Sequence, residues 1–173
     1  MEYLFTTILV FLSFFIGRII AHYTKEEIGK GKKIFCILEL SVLGAISLIL
    51  LYGIFTHLSL LLSILAFGLG ILVSWFKILR KPALFLGIGL AFSSFSLNFF
   101  SLMACLVFLY GLIYSRNLLS VKEYILIGLC FLLPSILAET TYFSLPSPFL
   151  AFSLGGILFY LYHEIAPQKK DHR

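Results

Sequence analysis

The sequence predicts an all-α integral membrane protein: a bundle of about seven transmembrane helices, N-terminus outside and C-terminus cytoplasmic. Three observations predict it. First, 61% of the 173 residues are hydrophobic and 12% are charged, against about 45–50% and roughly 25% in soluble domains; the mean hydropathy is +1.07. No water-soluble fold of this size hides so much apolar surface, so the solvent is lipid. Second, the apolar residues fall in runs long enough to cross a bilayer. Third, the 13 Lys and Arg gather in short clusters at the ends of those runs, the pattern of charge left on the cytoplasmic side. The chain reads as one polytopic domain, residues 1–173, in a prokaryotic inner or plasma membrane.

Span 1 covers 3–21. It starts Met1-Glu2 without a basic n-region, and no small-residue cleavage site follows, so it is read as retained rather than as a signal peptide. Arg18 lies in its last turn, where a long side chain reaches the surface by snorkelling. His22–Lys33 reads as a loop. Thr24–Glu27 fits a capping box, and Gly29 and Gly31 are expected to stop the helix after one interfacial turn. Span 2 covers 34–55 and contains Glu39. Span 3 covers 58–76 and runs into Trp75, Lys77, Arg80 and Lys81. Pro82 then suits the first turn of a new helix.

Ala83–Tyr114 is an apolar run of 32 residues. As one helix it would be about 48 Å long, against a hydrocarbon core of about 30 Å. Its middle, Ser93-Ser94-Phe95-Ser96-Leu97-Asn98, is rich in turn and N-cap formers. The run therefore divides into span 4, 83–97, and span 5, 99–114. Charge agrees with the division: with one crossing in place of two, Arg116, Lys122, Lys169, Lys170 and Arg173 would all change sides relative to Lys25–Lys33. Ser120–Glu123 is a second capping box, opening span 6, 124–138. Pro134 is expected to kink that span and free a backbone carbonyl. Ser147-Pro148 is an N-cap and N1 pair for span 7, 149–162. Tyr3, Tyr23, Tyr52, Tyr114, Tyr124, Tyr142 and Tyr162 fall at or near span ends, as in an aromatic belt.

Charge is densest in Gly17–Glu39. Arg18, Lys25, Lys30, Lys32, Lys33 and Glu39 form the candidate binding site, at the cytoplasmic face, where anionic lipid head groups bind basic clusters. Arg18 and Glu39 are each one to two turns below the surface on consecutive antiparallel spans. Ionisable groups inside a membrane are costly and usually paired, so the two are expected to pair and pin span 1 to span 2. Separate snorkelling and a proton or substrate relay are the other readings. Asn98 and Glu139 are candidate residues of an outer mouth, alongside the reading of Glu139 as a solvated interfacial carboxylate. His57 reads as a solvated loop residue, and His22, His163 and Glu164 as surface groups with no metal site implied.

Cys36, Cys105 and Cys130 each lie inside an apolar run, form no CxxC and are odd in number, so they read as packing residues. No GxSxG, HExxH, Walker or paired-Asp motif occurs, and no catalytic residue or cofactor is assigned. Nucleic acid is rejected as a partner despite a pI near 9.2, because the basic residues sit at span ends rather than on one stripe. Small residues recur at helical spacing in Ala66, Gly70 and Ser74, in Ala83, Gly87 and Ala91, and in Ala151 and Gly155. Such faces let helices approach closely, so span 3 is expected on span 4, with a homodimer face as the competing use.

Three function classes follow. The first is a structural, interaction or lipid-contacting protein working from its cytoplasmic face. The central thirds of the spans favour it, because they offer little beyond Ser13, Ser47, Ser63, Cys105, Cys130 and Ser153. Its partners would be the bilayer, anionic head groups, and a homo-oligomer or another membrane protein. The second is a small transporter: spans 1–3 and 5–7 share orientation around span 4, a 3+1+3 layout similar in architecture to small sugar transporters. The third, least supported, is a lipid-modifying enzyme with Arg18, Glu39, His22 and His163 in one pocket.

Overall fold

The computed structural model describes residues 2–56, 60–75, 82–115, 121–140 and 146–165. Among them are seven α-helices and no strand: α1 (Glu2–Tyr23), α2 (Lys25–Thr56), α3 (Leu60–Ser74), α4 (Ala83–Phe92), α5 (Leu97–Tyr114), α6 (Val121–Thr140) and α7 (Ser147–Ile165). A 3-10 turn, Ser93–Phe95, joins α4 to α5. The expected features at His57, Lys77, Arg80, Lys81, Arg116, Ser120, Tyr142, Lys169, Lys170 and Arg173 lie outside the described residues, as do the side chains of Lys25, Lys30, Lys32 and Glu139.

The expected loop between the first two helices is corrected to one residue. Thr24 alone separates α1 from α2, and α2 continues through Gly29 and Gly31. Its hydroxyl does not open α2; it donates back to the carbonyl of Ile20, as does its backbone N–H, so it finishes α1. Two interior glycines cost about 1 kcal/mol each, too little to stop a segment otherwise made of Lys, Glu and Ile with Glu26 four residues ahead of Lys30. At 32 residues, α2 is about 48 Å long, so its Lys25–Lys33 part extends beyond the apolar stretch Lys33–Phe55.

The long run Ala83–Tyr114 is broken between Phe92 and Leu97, and α4 stops before the boundary at 97. Ser93 turns its hydroxyl onto Leu90 O at 2.6 Å, and its N–H is shared between Gly89 O and Leu90 O. Ser96 then goes extended (φ −140°, ψ 127°) and α5 starts, without a side-chain cap from Ser96. At 10 residues, α4 is about 15 Å long, half the thickness of a bilayer core.

Six helices close a ring in the order α1, α6, α4, α7, α2, α5, while α3 lies outside it against α7. Contact pairs give the directions. Tyr3 meets Phe100 and Phe14 meets Tyr114, so α1 and α5 are parallel. Phe15 stacks on Tyr124 while Thr7 meets Ser135, so α1 and α6 are antiparallel. Gly53 approaches Leu150 while Glu39 meets Tyr160, so α2 and α7 are antiparallel. Phe92 stacks on Phe149 and Gly89 approaches Ser153, so α4 runs against α7. Tyr23, Lys33, Tyr114 and Ile165 share one end of the bundle, here the Lys33 end; Tyr3, Leu97 and Ser147 share the other.

The small-residue faces are used, with different partners from those expected. A Cβ on Gly70 would run into the carbonyl oxygen of Phe152, and one on Gly155 into that of Phe67. The close approach is therefore α3 on α7, not α3 on α4. Gly87 of α4 faces the carbonyl of Cys130 on α6 in the same way. Pro134 lacks the N–H that this carbonyl would accept four residues on. The bare Cα of Gly87 can offer a Cα–H···O contact in its place.

The core is apolar and aromatic, with Phe14, Phe85, Met103, Tyr110 and Phe131 fully buried. The outside is apolar too: Leu61, Ile64, Leu65, Leu69 and Leu72 of α3 are all exposed. An outer surface of this kind is what a membrane or a protein partner covers.

Candidate functional site

Glu39 is the one described carboxylate inside the core. It continues the buried stripe of α2, Glu39, Leu43, Ile46 and Leu50, at helical spacing, and is only 6% exposed. The Tyr160 hydroxyl donates to its Oε1 at 3.3 Å. Residues two apart on a helix point to nearly opposite sides, so Tyr160 turns inward while Tyr162 is exposed. Tyr110 and Tyr114, four apart on α5, stack with ring centroids 5.2 Å apart. Both phenols lie within electrostatic reach of Glu39 and of Glu164, one turn beyond Tyr160. The Tyr110 hydroxyl is fully buried and has no hydrogen-bond partner among the described residues. Glu39 and three tyrosines from α2, α5 and α7 thus form a polar cluster enclosed by apolar packing.

Arg18 belongs to a different surface. The buried stripe of α1 is Thr7, Val10, Phe14 and Gly17, and Arg18 is one residue, about 100°, off it. It lines a groove of about 520 Å³ between α1 and α6, with Phe15 and Ile19 on one side and Tyr124, Ile125 and Leu129 on the other. The expected pairing of Arg18 with Glu39 is therefore not how the helices meet. Arg18 faces Tyr124, Glu39 faces Tyr160, and α1 and α2 barely touch although one residue joins them.

The remaining candidates are dispersed. Lys33 is exposed, and the side chains of Lys25, Lys30 and Lys32 are outside the described set. Asn98 is exposed in the first turn of α5. His22 is exposed with its ring edge on Tyr23, and His163 is half-buried on α7. Among the described residues no three His, Cys, Asp or Glu converge as metal ligands. Sequence reasoning missed Tyr110 and Tyr160, the two tyrosines not counted in the aromatic belt. The available signal was that extending the apolar stripe of α2 back one turn lands on Glu39.

The hydroxyls along the bundle mostly bond their own helices: Thr7 to Tyr3 O, Ser13 to Val10 O, Ser47 to Leu43 O, and Ser74 to Gly70 O. Ser135 approaches Thr7 at 3.3 Å across the α1–α6 contact, but each has one proton and a closer acceptor on its own backbone.

Fold and site together define an all-helical bundle in which four helices are long and apolar enough to cross a membrane: Tyr3–Tyr23, Lys33–Phe55, Leu97–Tyr114 and Ser147–Ile165. No family model, curated protein or solved structure matches the chain.

Proposed function

We propose that this is a multi-pass membrane protein with seven crossings, N-terminus outside and C-terminus cytoplasmic, working as a lipid-contacting interaction protein from its cytoplasmic face. The observation that supports this reading is the distribution of polar chemistry. Arg18, Lys33 and the Glu39–tyrosine cluster are all at one end of the bundle, while between the ends Ser13 and Ser47 bond their own backbones and the buried hydroxyls of Ser63 and Ser153, which have no partner among the described residues, are uncharged. A carrier of ions or charged metabolites needs groups at mid-bilayer that replace water, and a bundle spent in this way offers few. The Lys25–Lys33 part of α2 projects past the apolar stretch, where basic side chains meet anionic head groups.

The transporter reading is less well supported. A 3+1+3 layout makes α3 and α7 equivalent, but α7 is inside the six-helix ring and α3 is outside it.

The test is reconstitution into nanodiscs of mixed anionic and neutral phospholipid. Each lysine near an anionic surface is worth about 1 kcal/mol. Replacing Lys30, Lys32 and Lys33 by Gln should lower the enrichment of anionic lipid around the protein by at least tenfold. Unchanged enrichment would overturn the reading. So would proton- or sodium-dependent substrate uptake into liposomes that is lost on changing Glu139 or Asn98.

A further inference from the structure

We propose that the groove between α1 and α6 is a site for one anionic phospholipid, its phosphate held by Arg18 at the Lys33 end and an acyl chain lying along the groove. The proposal rests on the reading above and names a discrete ligand within it. The groove extends from Phe11 to Ile19 along α1, eight residues or about 12 Å, and runs parallel to the helix axis as an acyl chain does beside a transmembrane helix. Its floor is Gly128, whose missing side chain makes the hollow; a Cβ there would come 3.1 Å from the Phe11 ring. Its rims, Phe15, Ile19, Ile125 and Leu129, are exposed on the outer face of the bundle, which in a membrane is the lipid side.

Polarity is confined to the Lys33 end of this groove. The Arg18 guanidinium makes no ion pair among the described residues, and it lies within electrostatic reach of the Tyr124 phenol. The Tyr124 hydroxyl is buried away from the groove, and its ring, stacked on Phe15 at 4.9 Å, is an apolar wall of it. A forked cation with five N–H donors, at the end of an apolar trough, matches a phosphodiester with a hydrocarbon tail.

Charge decides against the competing occupant, a second copy of the chain. A two-fold contact across this groove would bring Arg18 towards its own copy, leaving both cations in apolar surroundings.

Native mass spectrometry of the protein released from mixed phosphatidylglycerol and phosphatidylcholine membranes tests the proposal. One phosphatidylglycerol should remain bound. Arg18→Gln should reduce its occupancy at least tenfold, Arg18→Lys should restore it in part, and Tyr124→Phe, which keeps the ring stacked on Phe15 and removes only a buried hydroxyl, should leave it unchanged. The Lys30, Lys32 and Lys33 replacements should leave this single adduct in place. That separates the groove from the basic face, because loss of face enrichment with the adduct intact is a failure of neither. An adduct insensitive to Arg18→Gln would overturn the proposal. So would equal retention of phosphatidylcholine, displacement by inorganic phosphate, or a dimer cross-linked through cysteine at 125 in place of the lipid.

Discussion

The Tyr160 hydroxyl reaches Oε1 of Glu39 at 3.3 Å and ties α7 to α2 where both near the Lys33 end. The distance is long for O–H···O, which clusters near 2.7–2.8 Å, so the bond is expected below the range of about 1.5–3 kcal/mol for hydrogen bonds to charged groups. Tyr160→Phe should cost about 1 kcal/mol in reversible unfolding from detergent micelles. A double-mutant cycle with Glu39→Ala should return a coupling of similar size, and additive losses would remove the bond from the account. The cycle between Arg18→Ala and Glu39→Ala should be additive to within about 0.5 kcal/mol, because the two side chains face different helices.

Tyr110 carries a buried hydroxyl without a partner among the described residues. Burying such a group costs about 1–3 kcal/mol by mutational measures. Tyr110→Phe should therefore leave stability unchanged or raise it by about 1 kcal/mol. A loss of more than 1 kcal/mol on the same unfolding curve would mean that the hydroxyl is hydrogen-bonded in the membrane.

Two glycines two residues apart should respond in opposite ways. Gly70→Ala pushes a methyl into the Phe152 carbonyl, whereas a Cβ on Gly68 meets nothing within 4 Å. Gly70→Ala should destabilise by about 1–3 kcal/mol, as forced overpacking does. Gly68→Ala should be neutral or slightly stabilising through helix propensity. Gly155→Ala should match Gly70→Ala, because it faces the Phe67 carbonyl across the same contact. Equal behaviour at 68 and 70 would rule out this α3–α7 approach.

Orientation is tested with an impermeant thiol reagent on intact cells, with Cys36, Cys105 and Cys130 replaced. Cysteines introduced at positions 57, 96 and 144 should react from outside, and those at 30, 79, 118 and 170 should not. Labelling at 118 but not at 30 would mean a single crossing between Ala83 and Tyr114 and would remove the proposed seven-crossing topology.

Much of the helix layout was legible because it depends on local quantities. The turn between α4 and α5 could be read from Ser93, Ser94 and Ser96, since a 32-residue apolar run exceeds the bilayer and serine competes with the helix for backbone partners. The continuation of α2 through Gly29 and Gly31 was misread because glycine was given the weight of a stop signal. Its cost of about 1 kcal/mol is instead spread over a long helix. Of the candidate site, Glu39 and Arg18 were legible as unusual charges inside apolar runs. Their partners were not, because adjacency along the chain was taken for adjacency in space.

By itself the sequence determined the helical content, the long apolar helices and where charge gathers, because hydropathy and run length act residue by residue. Only the tertiary structure decided that α3 leans on α7, that α2 leaves α1 for α7 and α5, and that Glu39 therefore meets Tyr160 instead of Arg18. The physical reason is that the apolar faces of these helices are much alike, so neighbours are chosen by how closely backbones fit. That fit depends on pairs such as Gly70 with Phe152 and Gly87 with Cys130, whose members lie far apart in the chain and are read only from both surfaces at once.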